Sequence, residues 1–452
     1  MKIAIAGCGK VGTTLAEQLS KENHDITVID LDEERLSYIS DSQDVMCCTG
    51  DARSVSVLKE AGVDTDDLLL AVMDNDEVNL MVCLVASKLG TKHTIARVRN
   101  PIYRDTINVI NSDLGLSMVV NPEMETAREM FNSLRFHSAI QVETFAKSRN
   151  EILTCEITGA MPICGIKIKD LYSATKTRVF ICAIKRAGEV FIPNGETQIN
   201  SGDTLSFVAN HADAEKFFKK LGNAIGSVRN LAIIGGGRLG YYLGRMAIEN
   251  SMPVTIIDEN KEICRSLSAA LPSANIICGD ATNTNLLEEE GILKYSAVAT
   301  VTGEDSVNLL ISMYLKKNAP DTKVITKIKK SDFEDLMFNM NVGAVFNPKY
   351  IAADHILRYV RAMQNVIEDE VQSLCHVIDN KVEILEFLIS QDASFIGKPI
   401  KDLKLKKDLL LANITRQGKS FTPGGNDTIE AGDTILVATT KNGIFRIADI
   451  FN

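Results

Sequence analysis

No stretch of this 452-residue sequence approaches the ~20 consecutive apolar residues that a membrane-crossing helix needs. Even Leu80-Met81-Val82-Cys83-Leu84-Val85-Ala86 falls far short. An excess of basic charge is also missing: 49 Lys and Arg stand against 59 Asp and Glu, a formal net charge of −10. Nonspecific nucleic-acid binding draws on Lys and Arg at phosphates, so a balance of that sign argues against it. It also makes a poor direct partner for an anionic leaflet. The ten cysteines contain no Cys-x-x-Cys pair and sit mostly in apolar segments. They read as small buried hydrophobes in a reducing compartment rather than as a disulfide framework. The full Walker A pattern, Gly-x-x-x-x-Gly-Lys-Ser/Thr, does not occur, which leaves ATP hydrolysis without support. The opening residues Lys2-Ile3-Ala4-Ile5-Ala6 read as a strand the fold needs, so a cleaved signal is not expected.

What the chain does have is itself, twice. Its length suggests about three or four domains, and the repeat locates them. Lys2-Ile3-Ala4-Ile5-Ala6-Gly7 returns as Asn230-Leu231-Ala232-Ile233-Ile234-Gly235, and Thr27-Val28-Ile29-Asp30 as Thr255-Ile256-Ile257-Asp258. Gly50-Asp51-Ala52 returns as Gly279-Asp280-Ala281, Val78-Asn79-Leu80 as Val307-Asn308-Leu309, and Asn121-Pro122 as Asn347-Pro348. Within each copy, β-branched runs alternate with amphipathic helical stretches. That alternation predicts an α/β fold with a doubly wound parallel sheet and right-handed crossovers. A smaller α+β part follows each sheet, with turns at Gly188, Pro193-Asn194-Gly195 and Gly202-Asp203 matched by Thr422-Pro423-Gly424-Gly425 and Gly432-Asp433. Four domains are expected: 1–135, 140–221, 228–362 and 366–452, with a joint near Gly222–Val228. The segment Glu123–Ala146 is apolar at helical spacing (Met124, Ala127, Met130, Phe131, Leu134). It reads either as core packing or as a crossover helix at a subunit interface.

The glycine motif carries the chemistry. Gly7-Cys8-Gly9-Lys10-Val11-Gly12 and Gly235-Gly236-Gly237-Arg238-Leu239-Gly240 each follow an apolar strand and open a helix, and an acid ends the next strand about twenty residues on. In this dinucleotide-binding (Rossmann) pattern the first glycine makes the tight turn. The second lets backbone approach a pyrophosphate, and the third lets the helix pack closely on the strand. The pyrophosphate then sits at a helix N-terminus, where free N–H groups favour anions. Asp30 and Asp258 would accept from an adenosine ribose, and a carboxylate there repels a 2′-phosphate, which favours NAD(H) or an adenine nucleotide. Asp51 and Asp280 would either reach the adenosine or cap a helix. Met73-Asp74 and Thr302-Gly303 end the fourth strands, where a loop flanking the pyrophosphate belongs. Arg97 is either a phosphate partner or a solvated strand-end charge. Asn79 and Asn308 read as caps or pins of a helix.

No histidine–acid or lysine–acid cluster recurs between the copies; His24, His93, His137, His211, His355 and His376 occupy unmatched positions and form no metal-ligand spacing. A dehydrogenase would need such a group facing the nicotinamide.

These residues together resemble the TrkA family of tandem RCK (KTN) proteins, the peripheral regulatory subunits of Trk-type potassium uptake systems. Besides the two glycine motifs, the marks are Ile95-Ala96-Arg97-Val98-Arg99 before Pro101-Ile102-Tyr103, and the Gly-Asp turn of each small domain. The resemblance implies a cytoplasmic protein assembled as a homotetrameric gating ring of eight Rossmann units. It implies docking on a membrane potassium-translocating subunit of the TrkH/TrkG type, with gating by NAD(H) or by ATP/ADP and no catalytic step. It carries ligand contacts onto the glycine loops, Asp30, Asp51, Met73-Asp74 and Arg97, and onto Asp258, Asp280 and Thr302-Gly303. One departure is visible: Lys327 stands where Arg97 does in the first copy, a point charge without the bidentate fork. The first site is therefore the firmer expectation for NAD(H). Two other classes stay open on the residues alone, a soluble NAD-dependent oxidoreductase and a nucleotide-sensing transcriptional regulator.

Overall fold

The structure is a computed structural model that describes residues 1–451 apart from 23, 135–140, 145–149, 222–227, 330–341, 365–370, 379–380, 392, 394, 442–443 and 445. The first unit runs β1 (Lys2–Ala6), α1 (Lys10–Ser20), β2 (Asp25–Asp30), α2 (Glu33–Ser42), β3 (Met46–Thr49), α3 (Val55–Glu60), β4 (Leu68–Ala71), α4 (Asp76–Leu89), β5 (His93–Arg97), α5 (Tyr103–Leu114), β6 (Met118–Val120) and α6 (Pro122–Leu134). Its six parallel strands lie in the order β3-β2-β1-β4-β5-β6. The apolar side chains of β1 and β4 are buried, because helices cover both faces of the sheet. The strand order reverses between β1 and β4, which opens a crevice at their carboxyl ends, where α/β sheets bind ligands.

A five-stranded antiparallel sheet follows, made of β7 (Gln141–Thr144), β8 (Asn150–Glu156), β9 (Phe180–Arg186), β10 (Glu189–Phe191) and β11 (Thr204–Asn210) in the order β10-β9-β11-β8-β7. Helices α7 (Leu171–Thr175) and α8 (His211–Lys220) accompany it. The Gly-Asp turn has a structural task here. Asp203 is buried and takes Arg186 at 2.7 Å through two guanidinium nitrogens, so the buried charge is paired bidentately. Asp433 and Arg416 repeat the pair at 2.9 and 2.8 Å.

The second copy has the same plan: β12 (Leu231–Ile234), α9 (Arg238–Glu249), β13 (Val254–Asp258), α10 (Lys261–Ala270), β14 (Asn275–Cys278), α11 (Thr284–Glu289), β15 (Ala297–Thr300), α12 (Asp305–Asn318), β16 (Lys323–Lys327), β17 (Ala344–Phe346) and α13 (Pro348–Gln364). Its sheet order is β14-β13-β12-β15-β16-β17. Then come β18 (Val371–Val377), β19 (Val382–Leu388), β20 (Leu409–Arg416), β21 (Lys419–Phe421) and β22 (Thr434–Thr439), ordered β18-β19-β22-β20-β21.

The units exchange their last helices. Ala127, Met130 and Leu134 of α6 lie in one core with Ile233, Tyr242 and Leu243 of the second unit. Ile356, Leu357 and Val360 of α13 lie in one core with Leu15, Leu19 and Val28 of the first. Each large apolar side chain so buried contributes roughly 1.5–3 kcal/mol. The swap therefore joins the halves by a hydrophobic core rather than by a linker. The expected helix over Glu123–Ala146 is corrected at its end: the described helix runs over Pro122–Leu134, and Gln141–Thr144 forms a strand paired antiparallel with β8. The apolar helical spacing itself ends at Leu134, and the edge of β8 accepts the chain that follows. This helix is the crossover element, within one chain. Residues 222–227 of the expected joint and His137 lie outside the described residues.

Candidate nucleotide-binding cleft

Two of the three motif glycines in each copy are explained by the fold alone. Gly7 and Gly235 take φ of +109° and +112°, conformations that side-chain-bearing residues rarely adopt. A Cβ on Gly12 would lie 1.9 Å from the Gly7 carbonyl oxygen, and one on Gly240 2.0 Å from that of Gly235. The tight contact of the third glycine is thus with the loop's own carbonyl rather than with the strand. The middle glycines behave differently. Gly9 (φ −79°, ψ −172°) and Gly237 (φ −63°, ψ −173°) are extended residues immediately before α1 and α9. A Cβ on either would meet nothing within 4 Å. Neither helix has a side-chain cap, so the first-turn N–H groups face the crevice without one.

The acids that follow are bound to these loops. Asp30 accepts from the Cys8 N–H and, at 2.9 Å, from the Asp32 N–H. Asp258 accepts from Gly236 at 2.7 Å and Asn260 at 2.9 Å. Each carboxylate so fixes the glycine loop against the second strand. Asp51 is engaged by Arg53, whose backbone N–H and guanidinium donate to it at 2.6–3.0 Å and hold its pKa at about 2. It closes a turn, while Ser54 is the residue preceding α3. Asp280 accepts from the Thr282 N–H and hydroxyl at 2.8 and 2.7 Å, which lowers its pKa. Asn79 and Asn308 are fully buried pins. Asn79 joins Met73 at 2.9 Å to the Arg97 carbonyl at 2.8 Å, and Asn308 joins Thr302 at 2.9 Å to the Lys327 carbonyl at 3.1 Å.

Part of the sequence-singled set, mostly that of the second copy, meets in one cavity of about 840 Å³. It is walled by the second copy's Gly235, Gly237–Leu239, Asp258, Asp280, Thr302 and Gly303, and it extends to Lys10, Val11 and Arg97 of the first. The cleft therefore lies between the repeats. Reading each copy separately missed Arg99, Lys329 and Lys349, which also line it. Only the fold brings these cations together, although their Arg/Lys recurrence after each fifth strand was a usable signal. Arg97 is no solvated strand-end charge: its side chain is 13% exposed, its Nε is buried without a hydrogen-bond partner, and burial lowers its pKa. Lys327 is buried as well, donating to the Val301 carbonyl at 3.1 Å, and desolvation followed by repulsion from Lys329 pushes it down to about 8. Asp74 is almost fully exposed and pairs with Arg97 at 3.4 Å. Gly236, Met73, Cys8, Gly7, Gly9, Gly12, Gly240, Asp30 and Asp51 are absent from the cavity wall.

The sequence matches the TrkA-N domain over residues 3–122 and 231–348 and the TrkA-C domain over 160–222 and 384–452. This chain belongs to the TrkA family. It is 33% identical over 451 residues to the Trk system potassium uptake protein TrkA homolog of Archaeoglobus fulgidus, covering 100% of both chains. It is 30% identical over 457 residues to the Trk system potassium uptake protein TrkA of Halomonas elongata, covering 100% of this chain and 98% of that one. Among solved structures, the GsuK channel has the same fold at a TM-score of 0.61 and 16% identity, over 97% of this chain and 77% of that one. The GsuK channel bound to NAD gives 0.60 and 17% over the same shares. As a TrkA-family chain it has two TrkA-N domains, and residues of both line one cleft. No helix among its described residues is long and apolar enough to cross a membrane.

Proposed function

We propose that this chain is a nucleotide-binding regulatory subunit of a Trk-type potassium uptake system, and that it acts by conformational change rather than by chemistry. The observation that carries the nucleotide reading is the freedom around Gly9 and Gly237. Neither backbone angle nor packing requires glycine there, whereas the first and third motif glycines of each copy are required by the fold. Space for a ligand phosphate against uncapped helix N-termini accounts for both. NAD(H) or ATP/ADP fits: a ribose edge at Asp30 or Asp258, a pyrophosphate at the glycine loop, and cations beyond it. The GsuK channel bound to NAD, which shares this fold, supports the same reading.

Regulation then follows from linkage. A nucleotide shifts the equilibrium only by its unequal affinity for two arrangements of the repeats. A cleft walled by both repeats supplies that inequality, since its phosphate end changes whenever the units rotate. The membrane partner is a potassium-translocating subunit, as the names of its relatives suggest, with the chain peripheral to it at the inner face and assembled as a homotetrameric ring.

The test joins binding to flux. The full chain is titrated with NADH, ATP and ADP, then reconstituted with a potassium-translocating membrane subunit, and ion flux is measured with each nucleotide. Gly237→Leu and Gly9→Leu should keep the fold and lose nucleotide. Unchanged binding in both variants, or flux indifferent to every nucleotide, would overturn the proposal.

A further inference from the structure

One of the differences between the two glycine helices lies behind the cleft. Tyr242 of α9 corresponds to Thr14 of α1, seven residues after Gly235 and Gly7 respectively. The Tyr242 hydroxyl, 2% exposed as a residue, crosses to the other repeat. It donates to the Arg99 carbonyl at 3.2 Å and accepts from Asn121 Nδ2 at 3.0 Å, and the same amide reaches the Arg99 carbonyl at 3.0 Å. The three groups close a buried triangle. Asn121 also accepts from the Met124 N–H at 2.9 Å, so the triangle holds the start of the exchanged helix α6.

From Arg99 the bonding continues into the first site. The Arg99 and Asn100 N–H groups donate to Asp76 Oδ2 at 3.0 and 2.8 Å, and the Arg99 guanidinium donates to the Asp74 carbonyl. Asp76 opens α4, immediately after the Met73-Asp74 loop. An unbroken hydrogen-bonded route therefore runs from the second glycine helix to the loop at the edge of the first site. On the opposite side the route is not made by Thr14. Its short hydroxyl donates to the Lys10 carbonyl of its own helix at 2.9 Å.

We propose that the Tyr242 hydroxyl couples the two nucleotide sites, so that a ligand seated at the N-terminus of α9 is registered at Arg99 and the Met73-Asp74 loop. Tyr242 is a positioning residue. The proposal rests on reading both glycine loops as nucleotide sites. A phosphate at Gly237–Leu239 pulls on the first turn of α9, and Tyr242 stands one turn further along the same helix. A buried bond broken by that movement leaves polar groups unpaired, at a cost that water does not relieve. The helix and the Arg99 strand end must therefore move together or not at all. Coupling between sites needs such a contact, one that holds or breaks as the elements move.

The test measures coupling directly on the full chain. Titration calorimetry with NADH, and separately with ADP, gives the stepwise constants of the native chain. Gly9→Leu and Gly237→Leu give each site alone, and the ratio of the products is the coupling factor. A factor of about fivefold or more is expected for the native chain. Tyr242→Phe keeps the ring and removes the hydroxyl; it should bring the factor toward one with single-site constants within about twofold, since one hydrogen bond is worth about that fivefold. Asn121→Ser, which keeps a cap for α6 and loses the amide donor, should do the same. It decides the matter if the tyrosine variant folds poorly. A purely structural role would lower Tm and leave the factor intact, which overturns the inference. So does a native factor of one. Absence of any binding in the native chain would instead remove the nucleotide-site reading on which the inference stands.

Discussion

The two nucleotide edges of this chain share a fold and divide the work. The first contributes guanidinium groups, Arg97 and Arg99, on the strand-end side of the cleft. The second contributes the glycine loop, both acids and a buried lysine, Lys327, in the place of the first copy's arginine. Taken singly, the second copy looks the weaker phosphate site because its lysine lacks the fork. In the folded chain, Arg97 and Arg99 of the first copy line the same cleft as that lysine. Duplication thus sets charges of one copy beside the glycine loop of the other. The exchanged helices α6 and α13 make the arrangement possible by fixing the edges against one another.

The largest expected effect separates the glycines that serve the fold from those that serve a ligand. Gly12→Ala places a Cβ against a backbone carbonyl at 1.9 Å and should cost about 3 kcal/mol or more of stability. Gly9→Ala, in open space, should stay within about 0.5 kcal/mol. Chemical denaturation of the two variants checks this, and equal losses would remove the distinction. Next, Gly237→Leu should weaken nucleotide binding at the second site by about a hundredfold, the scale of an overpacked contact of ~3 kcal/mol. Calorimetry in the Gly9→Leu background reads that site alone.

A third prediction tests whether the repeats really share the cleft. In the Gly9→Leu background, Arg97→Ala should weaken binding at the second site by about tenfold, as expected on losing a charge-assisted hydrogen bond. An unchanged constant would return Arg97 to its own repeat. The smallest effect is a pH dependence. Lys327 is pushed down to about 8 by burial and by Lys329, with Asp305, Glu123 and Glu304 acting in the opposite sense. A bound phosphate favours the protonated form and raises its pKa, so binding takes up a proton. Affinity at the second site should accordingly be full below about pH 8 and fall as pH rises above it, by up to about tenfold per unit. Lys327→Arg should flatten the profile, because a guanidinium keeps its proton. A flat profile in the native chain would show that Lys327 touches no phosphate.

Much of this was legible in the residues. The doubly wound parallel sheet of each copy follows the alternation of β-branched and amphipathic runs, since each run is a local signal. The pinning role of Asn79 and Asn308 was also readable, as both follow the fourth strand at the same spacing. The helix after Asn121 was visible by its apolar spacing, but not its destination. Nothing in the pattern of Met124, Ala127, Met130 and Leu134 says which sheet covers it. Strand β7 was hidden for a similar reason: four residues pair with β8 only once the chain is folded back.

The sequence by itself determined the module, its duplication and the glycine turns, because turn geometry, helix capping and strand alternation depend on neighbouring residues. Only the tertiary structure decided that a cleft between the repeats gathers side chains of both. It also decided that Arg97 is buried toward that cleft and that Tyr242 crosses to Arg99. Those outcomes depend on contacts between residues more than a hundred positions apart, which form through the burial of α6 and α13 against each other's sheets and leave no periodic trace along the chain.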